Sequence, residues 1–124
     1  MKIESQVCSL ELAERLSELG AEQKSSLFWY SSNADTEWLI DQYRCGPQNV
    51  VASFCYSAFT VAELGAMLPS YVKTWRWHDL DKGGREYWNC ESEKYHVQEN
   101  ADTEADARAK MLIYLIEQQI VTLA

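Results

Sequence analysis

A chain of 124 residues with 47% hydrophobic side chains is one domain's worth of sequence and can bury a core. Its formal net charge of −8 repels a phosphate backbone, which argues against direct binding of DNA or RNA. No stretch approaches the roughly 20 uninterrupted apolar residues of a membrane helix, and the start, MKIESQVCSL, has no apolar run of signal-peptide length, so the expected setting is a cytosol without membrane attachment.

The first predicted element is a helix in SLELAERLSELG, with Ser9 placed to cap its first turn and Gly20 placed for a left-handed C-terminal cap. Leu12, Leu16 and Leu19 form its apolar stripe, with Cys8 and Ala13 at the edges. SLFWYS and EWLIDQY are rich in strand formers and flank the turn-forming run SNADT, which predicts a hairpin. CGPQN then breaks the chain. VVASFCY follows as a third strand, although its nearly continuous apolar run equally fits a buried helical turn.

FTVAELGAMLP carries the clearest local signal. Thr60 and Glu63 have the spacing of a capping box, Phe59 and Leu64 that of a hydrophobic staple. Leu64, Met67 and Leu68 give the buried stripe, and Pro69 stops the helix. Gly65 inside so short a helix costs about 1 kcal/mol relative to alanine, which implies a close packing contact at that position.

WRWHDLDKGGREYWNC holds three of the five tryptophans. A two-residue loop at Lys82–Gly83 would pair Trp77 with Trp88 and Trp75 with Cys90. A second turn at Ser92–Glu93 would pair Cys90 with Tyr95 and Trp88 with Val97. In that register Trp75, Trp77, Trp88, Cys90, Tyr95 and Val97 share one face, and Thr74, Arg76, His78, Tyr87, Asn89, Glu91, Lys94, His96 and Gln98 share the other. The expectation is a three-stranded meander whose tryptophans are core and whose charges are the other side of the pleat. A slip of one residue would exchange the two faces.

The last element is a long helix in ADTEADARAKMLIYLIEQQIV. Thr103 and Asp106 have capping-box spacing, and Ala105, Ala109, Leu112, Ile113, Ile116 and Ile120 follow the helical rhythm. The order of elements predicts an α+β fold in one domain over residues 1–124. It runs short helix, strand hairpin plus third strand, short capped helix, three-stranded antiparallel meander, and a long C-terminal helix packed on the sheet.

Chemistry is thinly signalled. Cysteines 8, 45, 55 and 90 are expected to be reduced thiols, given the cytosolic reading. No two of them lie two to four residues apart and the two histidines are 18 apart, so no metal site is expected, and no motif calls for a cofactor. There is no nucleophile elbow, no phosphate loop and no paired-histidine zinc motif. A Cys90–histidine pair is not expected either, because the register sets them on opposite faces. The polar face offers Arg76, His78, Tyr87, Asn89 and His96 as candidates for binding a nucleotide or other small anion. Glu11, Glu14, Glu18 and Glu22 crowd the first helix, and Glu99, Asp102, Glu104 and Asp106 crowd the last connection. Together they offer an acidic surface for a basic partner, while residues 71–95 are balanced in charge.

The blocks VCSLELAERLSELG, SLFWY, SAFTVAELGAMLPSY and ADTEADARAKMLIYLIEQ, spread over most of the chain, resemble a family of small proteins encoded by phages and prophages of gut bacteria. That family has no established activity, so the resemblance assigns no catalytic or binding residue. It implies a phage accessory protein in the bacterial cytosol. The function expected is therefore non-enzymatic: binding that inhibits or modulates a host protein such as a defence factor. The alternative expectation is a small-molecule binder or enzyme that uses the polar sheet face.

Overall fold

In the computed structural model, which describes residues 3–31, 38–41, 54–79 and 83–122, the fold is α+β. The described residues form three α-helices and two three-stranded antiparallel sheets, with a single 3-10 turn at Ile3–Ser5. Helix α1 (Leu10–Glu18) closes on Gly20, whose φ of +96° is the left-handed conformation the sequence required. Ser9 occupies the N-cap position, but its hydroxyl does not cap the helix. Its backbone N–H instead donates to the Asp106 carboxylate at 2.7 Å, a bond across 97 residues that ties the first helix to the last.

Strands β1 (Phe28–Ser31) and β2 (Leu39–Asp41) pair antiparallel, as the hairpin reading required, and the turn between them lies outside the described residues. Strand β3 (Phe54–Ser57) pairs on the other side of β1, which settles residues 54–56 as strand, while residues 50–53 fall outside the description. Trp29 packs into the core beside Tyr56, and its indole N–H donates to the Cys8 carbonyl at 2.9 Å. Tyr56 also stacks on Trp38, ring centroids 5.8 Å apart.

Helix α2 (Val61–Met67) has the whole capping box: Glu63 N–H donates to the Thr60 hydroxyl, and Thr60 N–H donates to the Glu63 carboxylate. Helix α3 (Glu104–Glu117) realises half of one. Asp106 N–H donates to the Thr103 hydroxyl, but the Asp106 carboxylate is spent on Ser9. Ala105, Ala109, Leu112 and Ile113 pack with Leu16 of α1 and Leu64 of α2. Ala107, Met111 and Leu115 form a second stripe, against Cys90 and Trp88 of the other sheet. The alanines at 105, 107 and 109 are the signature of a helix covered on two sides, since small residues let two layers approach one axis.

That second sheet is the meander: β4 (Val72–Asp79), β5 (Arg85–Ser92) and β6 (Val97–Ala101), with β5 in the centre. Its register differs from the sequence expectation by one residue at the first turn. Trp75 pairs with Asn89, Arg76 with Trp88 and Trp77 with Tyr87. A two-residue turn centred on Lys82–Gly83 would force Lys82 to positive φ. Gly83 and Gly84 both take positive φ, +74° and +80°, and Asp79 pairs with Arg85, while the Lys82 half of the expected turn lies outside the described residues. At the second turn residues 93–96 connect the strands, so Trp88 faces Ala101, Cys90 faces Glu99 and Ser92 faces Val97. His96 N–H donates to the Ser92 carbonyl and Tyr95 N–H to the Ser92 hydroxyl, closing a longer turn than two residues. The predicted faces are therefore corrected. Trp88, Cys90 and Val97 remain on the side packed by α3, while Trp75, Trp77 and Tyr95 do not belong to it.

Candidate functional site

Alternation from this register defines the open side of the meander: Lys73, Trp75 and Trp77 on β4, Tyr87, Asn89 and Glu91 on β5, and Gln98 and Asn100 on β6. The helix side takes Val72, Trp88, Cys90, Val97 and Ala101, with α3 upon them. On the open side Trp75 is half-buried and Trp77 remains 48% exposed, a large apolar area for one residue to leave in water. Asn89 lies at the floor of this face, 1% exposed, and its side-chain carbonyl accepts a hydrogen bond from the Gln98 amide. This face thus carries Trp75, Trp77 and Tyr87 together with Asn89 and Gln98, which are joined by a hydrogen bond. A surface of this kind has rigid aromatic area to offer.

Its charges are balanced. Lys73 is held by Glu93 at 2.8 Å, and Arg85 is paired with Asp102, each cation raised in pKa first by the hydrogen bond to its carboxylate. An open aromatic face is one requirement of a base-stacking platform, and a basic surround is the other. Here the first is met and the second is not.

The residues proposed from sequence as one polar cluster are separated. Tyr87 and Asn89 are on the open side. Arg76 and His78 alternate to the other side, near the Gly83–Gly84 turn, where both approach Glu86, Arg76 at 3.6 Å and His78 at 3.5 Å. The Arg76 guanidinium also lies over the Trp88 ring, 5.5 Å from its centre. His96 is exposed in the β5–β6 turn with φ +55°. No single pocket among the described residues gathers all five.

The acidic candidates divide in the same way. Glu18 pairs with Arg15 at 3.1 Å, Glu22 with Lys24 at 3.1 Å, Asp102 with Arg85, and Glu104 with Arg108 at 2.9 Å. Asp106 is partly buried, and that burial raises its carboxyl above the ordinary value of 3.8, against the Ser9 bond, which lowers it. Glu11 and Glu14 are exposed on α1, and Glu99 is half-buried opposite Cys90. Four of the eight acidic candidates, Glu18, Glu22, Asp102 and Glu104, are therefore paired with cations of the chain itself.

Among the described residues Cys8 and Cys90 are free cysteines, and desolvation by burial pushes each thiol up to about 12. Both are protonated near neutrality and neither is a nucleophile there. Cys90 does share a side of the sheet with His78, contrary to the predicted register, but it faces Thr74, four residues along β4 from His78, or about 13 Å. Cys55 corrects a second expectation: it is disulfide-bonded rather than a reduced thiol.

Arg108 was not singled out by sequence. Its Nε donates to the Thr74 hydroxyl at 3.1 Å, Nη1 to the Val61 carbonyl at 3.0 Å and Nη2 to Glu104 at 2.9 Å, so one guanidinium joins α2, β4 and α3. It is the close contact expected at Gly65, where an added methyl would overlap its Nη1. The glycine was the signal, and its partner was hidden among the alanines of α3.

Cavities flank these elements among the described residues. One, of about 490 Å³, is lined by Phe59, Ala66, Met67 and Val121, with Glu22 and Lys24 at its rim. Another, of about 310 Å³, lies beside Tyr87 between Arg85, Asn100, Asp102, Asp106 and Lys110. Its cations are engaged, Arg85 by Asp102 and Lys110 by the Asn100 carbonyl at 2.9 Å, so an anion would have to displace existing partners. Among the described residues no group of three or more His, Cys, Asp or Glu is placed to hold a metal ion, and no helix is long and apolar enough to cross a membrane. No family model, curated protein or solved structure matches this chain.

Proposed function

We propose that this chain is a non-enzymatic accessory protein that acts by binding another protein, a factor of the bacterial host in the setting its sequence resemblance implies, and that the open side of β4–β6 is the contact surface. The observation that carries the reading is Trp77, 48% exposed beside Trp75 and Tyr87 on a sheet face that no described helix covers. Interface centres are enriched in tryptophan and tyrosine and depleted in unpaired charge, which is the composition of this face. Inhibition or modulation then follows from occupying the partner's surface, which needs no catalytic group. The nucleotide or anion reading is weaker, because Arg76 and His78 point to the opposite side from Tyr87 and Asn89.

The test is capture from bacterial lysate at moderate salt with wild type, Trp77→Ala and Glu14→Ala. Wild type and Glu14→Ala should retain a stoichiometric protein partner, and Trp77→Ala should bind it at least about 30-fold more weakly, as loss of an interface anchor does. A wild type that captures no stoichiometric protein, or a Trp77→Ala protein that captures as well as wild type, overturns the proposal.

A further inference from the structure

With β5 central, β4 and β6 are the edges of the meander. The Glu93 N–H donates to the Tyr71 carbonyl at 3.1 Å, on the same rungs as the β4–β5 register. Bonded rungs alternate along an antiparallel pair. Residues 73, 75 and 77 therefore turn their N–H and C=O groups toward β5, and Thr74, Arg76 and His78 turn theirs outward.

The two edges are finished differently. On β6 the Lys110 ammonium donates to the Asn100 carbonyl at 2.9 Å, and α3 packs alongside the strand. On β4, among the described residues, no strand and no side chain bonds the outward groups of 74, 76 and 78. The strand is eight residues long, contains no proline, and pairs with β5 without a bulge. An edge so long and regular is a template for another strand.

We infer that β4 pairs antiparallel with β4 of a second copy of this chain, about a twofold axis at Arg76, joining two three-stranded sheets into one of six. The outward groups recur at every second residue, so this axis sets Arg76 opposite itself and Thr74 opposite His78 of the second copy, with donors and acceptors matched on both sides. Charge permits a like partner: Lys73 is already held by Glu93 at 2.8 Å and Arg76 by Glu86 at 3.6 Å. The exposed carboxylates Glu11 and Glu14 lie on α1, which packs on the stripe of α3 that faces away from this sheet. On the open side the same axis places Trp75 beside Trp77 of the second copy, twice. The edge is consumed and the aromatic face is left clear, so this pairing is independent of the protein partner proposed above.

Sedimentation equilibrium of the full chain is the test, on wild type, Arg76→Ala and Arg76→Pro. Wild type should dimerise with a dissociation constant on the order of 10 µM. Arg76→Ala keeps the outward N–H and should dimerise within about threefold of wild type, whereas proline at 76 removes that N–H, spares the β5 rungs and should weaken the dimer by at least about tenfold. A second variant does not depend on how proline is tolerated. Arg76→Cys sits on the axis, at a Cα separation of about 5.5 Å from its copy, and should cross-link on mild oxidation. A wild type that stays monomeric to about 500 µM overturns the inference, as does an Arg76→Cys protein that forms no intermolecular disulfide. A folded Arg76→Pro that dimerises like wild type overturns it equally. A monomer that still captures its protein partner through Trp77 would leave the proposed function standing without the dimer.

Discussion

The two sheets treat tryptophan in opposite ways. In the first, Trp29 of β1 faces the core shared with α1, packs beside Tyr56 and gives its N–H to the Cys8 carbonyl. In the second, Trp75 and Trp77 of β4 face away from α3, and only Trp88 of β5 packs toward it. The residue type is the same and the strand propensity is the same. What differs is which side of the pleat a helix occupies, and that is fixed by register and not by hydrophobicity. A large apolar side chain in a strand thus reports a half-buried surface without saying which half.

The comparison can be broken at four places. The largest effect is expected at Trp29, where alanine removes core volume and leaves the Cys8 carbonyl without its donor; urea melts should show a loss of about 3–5 kcal/mol. A loss under about 1 kcal/mol would mean that the first sheet does not bury its tryptophan.

Arg108 is next, because it joins α3 to both halves of the core. Arg108→Met should cost about 2–3 kcal/mol by leaving Glu104 and Thr74 without their partner in a half-buried place. The sharper reading is a double-mutant cycle. Gly65→Ala should destabilise the wild type, since its methyl meets the guanidinium, but should stabilise Arg108→Met by up to about 1 kcal/mol, the helix preference of alanine over glycine. Additive effects would contradict the contact.

Asp106 gives a smaller and pH-dependent effect. Burial raises its folded-state pKa above the ordinary 3.8, so through the interval just above 3.8 the folded chain binds more protons than the unfolded one. Its contribution to stability therefore falls as pH rises through that interval. The stability of wild type minus that of Asp106→Asn should decline from about pH 3.8 upward and then level. A difference that rises with pH would mean that the Ser9 bond outweighs desolvation.

Much of the fold was legible because helix ends are written locally. Thr60 and Glu63, three residues apart, fix the start of α2, and Leu68–Pro69 fix its end; no distant residue is needed. The stripe of α1 was likewise readable from Leu12, Leu16 and Leu19. The meander's existence was legible from its strand formers, but its register was not. Val72, Trp88 and Cys90 on one side compete with Trp75 and Trp77 on the other, so the alternation of apolar residues supports both registers. The tie is broken by backbone dihedrals at Gly83 and Gly84 and by the four-residue turn at 93–96. The candidate site was lost with the register, since a one-residue shift sends Trp75 and Trp77 outward and parts Arg76 and His78 from Tyr87 and Asn89.

The most direct test of the open aromatic face is a pair of urea melts, Trp77→Ala against Trp88→Ala. The register described here predicts a loss of about 3 kcal/mol or more for Trp88→Ala, which empties the space between β5 and α3, and a loss within about 1 kcal/mol for Trp77→Ala, which removes a ring already half in water. Equal losses of about 3–5 kcal/mol at both positions would place Trp77 in the core beside Trp88, restore the alternative register and remove the open face on which the proposed function stands.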